Sequence, residues 1–173
     1  MNVDDANDKG AVDSAWKIHA AQADWTAKVD VKASFALTLE TAAIATVVAL
    51  SAPGRLYSAL QGPTVAGLYW IGLALLGIAA FFAIIVVTPR LKSEATRKSY
   101  PDNYIYFGHV RHWEAEELAK ALREGDILPV LTRQITVMGD IAWQKHEWVQ
   151  RSLFCGGIGG ACLIICGVAQ RTW

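Results

Sequence analysis

The sequence lacks the net charge and the cysteine framework that several protein classes require. Lys plus Arg and Asp plus Glu both number 16. Proteins that bind nucleic acid polymers usually have a basic surface, so we expect no nucleic acid polymer as a partner. Only three cysteines occur in 173 residues, all within 155–166. An odd number of cysteines inside an apolar segment provides no disulfide framework.

Catalytic signatures are also missing. No segment matches a nucleophile motif, a phosphate-binding loop or a catalytic pair of acids, so we predict no enzyme activity and no cofactor. The alternative is a metal-dependent membrane enzyme, in which His109 and His112 would converge with His19 or His146. Because no HExxH pattern accompanies them, we expect ordinary surface histidines and no metal ligands.

Charge is absent from two long apolar runs, 65–87 and 152–169, and a third run, 34–52, carries only Glu40. A hydrocarbon core of ~30 Å needs about 20 apolar residues in a helix. We therefore predict an all-α integral membrane protein with three transmembrane helices and a small cytoplasmic helical bundle. A carboxylate inside a span usually faces protein or water, so Glu40 would line an aqueous path, meet a partner or stay protonated near the interface.

Breakers and capping residues indicate where these helices begin and end. Ser14 is a plausible N-cap, and no Pro or Gly follows it until Pro53. Gly125 divides a predicted helix over 103–123 from one over 126–151, which Asp126 would cap before it continues into the third span. The predicted division is a flexible acidic tail (1–13), a cytoplasmic extension of helix 1 (14–33), the spans 34–52, 65–87 and 152–169, and a cytoplasmic helical segment (90–151).

Basic residues cluster on one side of the predicted spans. They precede the first span at Lys28 and Lys32, follow the second at Arg90 and Lys92, and precede the third at Arg151. By the positive-inside rule, the N-terminus and the segment from Pro89 to Arg151 are cytoplasmic. The first residues lack a basic and an apolar region, so we expect no cleavable signal.

Two short stretches carry a resemblance to a known family. One is AKVDVKAS at 27–34, before the first span, and the other is NYIYFG at 103–108, followed by Gln134 and Lys145. Their order over residues 14–169 resembles the membrane effectors of Pycsar antiphage systems. The resemblance implies a defence effector in the bacterial inner membrane. Its cytoplasmic helices would sense a cyclic nucleotide, cyclic UMP or cyclic CMP, and its spans would impair membrane integrity and cause abortive infection.

Several polar residues of these stretches suit a nucleotide ligand. An amide and an aromatic plane can read and stack on a base, and a basic side chain can hold a phosphate. Each also has a structural interpretation, as a packing, solvated or interfacial residue. The candidate ligand contacts are Asn103, Tyr106, Arg111, Gln134, Lys145 and, nearer the membrane, Lys32.

Small residues in the third span predict close helix packing. Gly156 and Gly160 form a GxxxG pair, and Gly159 and Cys162 extend it. Because three helices cannot enclose a wide aqueous path, we predict a homo-oligomer assembled through this face. The rival hypothesis is a small structural or channel-forming subunit that has no nucleotide ligand.

Overall fold

A computed structural model describes residues 3–89 and 93–172. Within these ranges the chain is helical and contains no strand, which confirms the predicted all-α class. The helices are α1 (Val3–Leu50), α2 (Gly62–Val87), α3 (Ser93–Lys98), a 3₁₀ helix (Tyr100–Asp102), α4 (Phe107–Val110), α5 (Ala115–Glu124) and α6 (Ile127–Thr172). Three of them, α1, α2 and α6, are long and apolar enough to cross a membrane.

The described residues fall into two compact units. Residues from Met1–Ala27 and Pro89–Trp143 make the first, which we call the polar unit. Residues from Lys28–Thr88 and Gln144–Trp173 make the second, which we call the membrane unit. Both α1 and α6 contribute residues to both units without a break in the helix.

Helix α1 begins earlier than the capping pattern predicts. Its first residue is Val3, so most of the range predicted as a flexible tail is helical. Ser14 is not an N-cap, because its hydroxyl donates to the carbonyl of Gly10 within the helix, at 2.8 Å. The helix ends at Leu50, and Gly54 (φ 73°) then adopts a left-handed conformation that favours glycine.

The membrane unit consists of three packed helical segments. Asp30 pairs with Lys145 near one end and Glu40 contacts Ser152 further along, so α1 and α6 run parallel. Helix α2 runs antiparallel to them and ends where Thr88 precedes Pro89, which disfavours further helix. At the end opposite Asp30, the connecting loop closes over the helices. The buried residues of this end are Val47, Tyr57, Tyr69, Leu76, Leu163 and Cys166.

In the polar unit, the helix predicted over 103–123 is broken. The chain forms the 3₁₀ helix, the single turn of α4 and then α5, with extended backbone at Asn103, Tyr106 and Glu114. Asp126 caps α6 as predicted, because its carboxylate accepts a hydrogen bond from the amide of Leu128 at 3.0 Å. Arg90 and Lys92, two of the basic residues from which the orientation was predicted, lie outside the described residues.

Candidate functional site

The segment 99–113 of the polar unit is held by side-chain hydrogen bonds to backbone carbonyls. The Asn103 amide nitrogen donates to the Ser99 carbonyl at 2.8 Å, and the Trp113 indole donates to the Asn103 carbonyl at 3.0 Å. The Trp113 ring also packs edge-on against Tyr100, at 5.7 Å between centroids. The Asn103 side chain therefore fixes the loop through its nitrogen and leaves its oxygen for another donor.

Within this segment the aromatic residues have different exposures. Tyr106 is half-buried and packs on Phe107 at 4.4 Å and on His109 at 5.6 Å. Phe107, by contrast, is 66% exposed. Tyr106, and not Phe107, is among the ligand contacts predicted from the sequence, yet Phe107 is the more exposed of the two rings. The turn at residue 106, which no periodicity signals, causes this difference.

His109 was considered in the sequence only as a possible metal ligand, but its surroundings in this segment are unusual. Its Nε2 lies 3.2 Å from the Ser99 hydroxyl, while its Nδ1 is buried and has no hydrogen-bond partner among the described residues. Burial, together with the nearby His112, lowers the pKa of His109 below its ordinary value. Because the unsatisfied nitrogen is buried, a ligand can form a hydrogen bond with it only after the segment rearranges.

Arg111 follows α4 and places its guanidinium at the surface. Its Nε donates to the Nε2 of His112 at 3.2 Å. The described residues contain no group of three His, Cys, Asp or Glu side chains arranged to hold a metal ion. The histidine-metal hypothesis thus gains no geometric support from His109 and His112.

Gln134 lies in α6 within the same unit and is half-buried. No hydrogen bond joins it to the described residues of the 99–113 segment. A second glutamine, Gln22 of α1, faces α6 near Gly139 and has a buried side-chain oxygen without a partner among the described residues. The sequence carries no sign of this unsatisfied oxygen, because the packing of α1 on α6 within the unit creates it.

The two predicted lysines belong to the membrane unit. Lys145 donates to both carboxylate oxygens of Asp30, at 2.5 Å and 2.8 Å. This pairing gives Lys145 a structural partner within the membrane unit, and its role as a ligand contact stays a prediction. Lys32 makes no ion pair or hydrogen bond with a described residue and lines a groove between α1 and α6.

Glu40 is buried inside the membrane unit. One carboxylate oxygen accepts a hydrogen bond from the Ser152 hydroxyl at 2.7 Å, and the other has no partner among the described residues. A Cβ added at Gly156 would lie 3.1 Å from Glu40. Within this chain, Glu40 therefore faces α6 and does not line an aqueous path.

Small residues of α6 make contacts inside the chain. A Cβ added at Gly159 would lie 2.8 Å from the carbonyl oxygen of Gly72, and Cys162 also contacts Gly72. Gly156 and Gly159 are thus covered by other helices of the same copy, which corrects their assignment to a face between copies. Gly160 has no atom within 4 Å of an added Cβ and stays open.

Comparison with known proteins gives one match. A family model described as the Pycsar effector protein domain matches residues 14–170. No curated protein and no solved structure matches the chain. The matched range includes residues of both units and of all three apolar helices, and the family is not a known family of enzymes. The chain is therefore a membrane protein that belongs to the family of Pycsar effectors, which act in antiphage defence.

Proposed function

We propose that the polar unit binds a cyclic nucleotide, cyclic UMP or cyclic CMP, and that binding makes the membrane unit impair the inner membrane of the bacterium. Family membership supports the role in defence. The observation that carries the ligand proposal is the short stretch from Phe107 to Arg111. It combines an exposed ring, an unsatisfied imidazole nitrogen and a surface guanidinium.

Each of these groups suits one part of a nucleotide. The open face of Phe107 can stack on a base, an interaction that tolerates any base. The Asn103 side-chain oxygen can read the hydrogen-bonding edge of the base, which provides selectivity. The buried Nδ1 of His109 can join it only if the segment rearranges when the ligand binds. Arg111 can hold the cyclic phosphate by a charge-assisted hydrogen bond. Tyr106 then supports Phe107 from within the segment, and Gln134 remains a proposed contact from α6.

Helices α1 and α6 provide the route from ligand to membrane. Each is continuous and contains residues of both units. A ligand can shift a conformational equilibrium only by its differential affinity for the two states. Binding must therefore be tighter in the active form, and a change in either helix extends into the membrane unit through the hydrogen-bonded backbone.

Damage to the membrane requires more than one copy. The contact of Gly72 with Gly159 leaves no wide path between α2 and α6. We therefore propose a homo-oligomer that forms when nucleotide is bound.

A binding assay tests the ligand proposal. Purified full-length protein is titrated with a panel of cyclic mono- and oligonucleotides. Arg111→Ala should weaken binding about ten-fold or more, because a hydrogen bond to a charged group contributes about 1.5–3 kcal/mol. Phe107→Ala should weaken it by a similar factor, since stacking on one base contributes ~1–3 kcal/mol. Arg123→Ala removes another exposed arginine of the polar unit and should have no effect.

Two outcomes would contradict the proposal. If no nucleotide of the panel binds, the rival hypothesis of a structural or channel-forming subunit takes precedence. If a nucleotide binds and both Phe107→Ala and Arg111→Ala retain wild-type affinity, the ligand site lies elsewhere.

The orientation is tested separately. We propose that the N-terminus is cytoplasmic and the C-terminus external, from the distribution of Lys and Arg around the spans. A reporter that is active only in the periplasm should stay inactive when inserted near Arg111. Periplasmic activity at that position would contradict the orientation.

A further inference from the structure

An open groove of about 550 Å³ lies in the membrane unit between α1 and α6. Its lining includes both polar and apolar side chains. Val29 and Val149 are buried at its floor, at 1% and 4% exposure. Polar groups from Lys32, His146 and Gln150 lie beside apolar groups from Leu153 and Phe154.

The groove lies at the position along α1 and α6 where charged residues become rare. After Lys32, the next 18 residues of α1, to its end at Leu50, include a single charged residue, Glu40. After Arg151, α6 has no charged residue until Arg171. The groove therefore spans the boundary between the polar ends of these helices and their apolar spans.

The charge at the groove is positive. Lys32 makes no ion pair or hydrogen bond with any residue that the structure describes. The nearby acids are already paired, Asp30 with Lys145 at 2.5 Å and Glu147 with Arg151 at 3.6 Å. An anion at the groove would thus meet a free ammonium and no competing carboxylate.

The apolar end of the groove continues as exposed surface. Leu153 and Phe154 are 55% and 71% exposed, and Phe35, one turn beyond Lys32 in α1, is 65% exposed. Large apolar side chains at the start of the apolar spans are suited to contact a hydrocarbon chain. A second copy of the chain would bring its own Lys32 to a symmetric contact, and the like charges would repel.

We propose that this groove binds an anionic glycerophospholipid, with the phosphate at Lys32 and Gln150 and an acyl chain along Leu153 and Phe154. Basic pockets between transmembrane helices are known to hold anionic headgroups. The inference is independent of the nucleotide site and gives Lys32 a lipid phosphate as its ligand, where sequence reasoning had proposed a nucleotide phosphate. Occupancy would tie α1 to α6 at the membrane surface.

Native mass spectrometry of the full-length protein tests this proposal. The protein is taken from vesicles of phosphatidylcholine mixed equally with phosphatidylglycerol, and the lipid that remains bound is identified. Wild-type protein should retain phosphatidylglycerol preferentially. Lys32→Gln should lower that preference about five-fold, because one basic residue near an anionic surface contributes about 1 kcal/mol. Lys32→Arg should restore it.

Lys17→Gln is the matched control, since it removes an exposed lysine of the same helix outside the groove. This variant should behave as wild type. Equal retention of the two lipids by wild-type protein, or an unchanged preference in Lys32→Gln, would overturn the proposal. Displacement of the lipid by inorganic phosphate or by a cyclic nucleotide, but not by sulfate at the same ionic strength, would instead assign the site to a free phosphate.

Discussion

At the residue scale, the conformation of the 99–113 segment depends on one glycine. A Cβ added at Gly108 would collide with the ring of Tyr106. The neighbour is a side chain two residues away in the same segment. The same ring lies against Phe107. The absence of a side chain at Gly108 therefore helps to set the orientation of the exposed Phe107 ring.

Gly108→Ala should therefore destabilise the segment by about 1–3 kcal/mol, the usual cost of forcing extra volume into a packed site. Hydrogen exchange of the amides in 99–113 should become faster, and nucleotide affinity should fall. Gly10→Ala is the control, because an added Cβ meets no atom within 4 Å there. Unchanged exchange in Gly108→Ala would show that the ring of Tyr106 moves aside without cost.

His109 gives this segment a pH dependence. Its pKa is lowered by burial and by the neighbouring His112. The folded segment thus prefers the neutral ring, and the unfolded segment binds a proton more readily as the pH falls. The stabilisation is complete above the ordinary histidine pKa and is lost as the pH falls through the lowered value. The protection of the 99–113 amides, measured relative to their intrinsic exchange rate at each pH, should fall over that range and should depend less on pH in His109→Gln. A midpoint for His109 above about 6.5 in an NMR titration would contradict this sign.

At this scale, contacts between residues far apart in the sequence could not be predicted. The sequence offered Lys145 as a ligand contact or as a packing, solvated or interfacial residue. It did not identify Asp30, which lies 115 positions away and pairs with Lys145 only because α1 and α6 run parallel. The exposure of Phe107 was equally hidden, because it depends on the turn at Tyr106.

At the element scale, the helices that the sequence predicted well are those defined by composition. An uninterrupted apolar run ending before a proline predicted α2, and the absence of a breaker predicted that α6 continues into the third span. The prediction of a helix over 103–123 was wrong because side-chain hydrogen bonds to the backbone compete with helix formation. The bonds from Asn103 and Trp113 hold extended backbone there, and their partners are not evident from a periodic pattern.

Glycines allow α2 and α6 to pack closely in the membrane unit. A Cβ at Gly159 would lie 2.8 Å from the carbonyl oxygen of Gly72. Gly159→Ala should therefore lower stability in detergent by about 1–3 kcal/mol, measured by thermal unfolding. Gly157→Ala, two residues away with no atom within 4 Å of the added Cβ, is the control. Equal stability of the two variants would show that the helices separate at no cost.

At the scale of the whole molecule, one copy leaves most of its apolar surface uncovered. In the most apolar windows of α1, α2 and α6, the buried shares are 22%, 33% and 28%. This surface faces lipid or other copies. The structure divides the glycines of the third span into those covered within the chain, such as Gly159, and open ones, Gly157 and Gly160. Of these glycines, only the open ones can lie at a contact between copies.

Gly160→Leu should therefore block assembly and toxicity, while the polar unit still binds nucleotide with an affinity lowered only by the lost coupling to assembly. A Cβ at this position meets no atom of its own chain within 4 Å. A leucine side chain would hold a second helix away, since close approach of spans depends on small residues. Gly77→Leu places the same side chain at an open glycine of α2 and should leave assembly unchanged. Chemical cross-linking in cells supplied with the activating nucleotide measures assembly, and a membrane-potential dye measures damage. A Gly160→Leu variant that keeps the wild-type oligomer size and depolarises the membrane fully would move the assembly face away from α6. Loss of assembly in Gly77→Leu as well would show that the contact between copies includes α2.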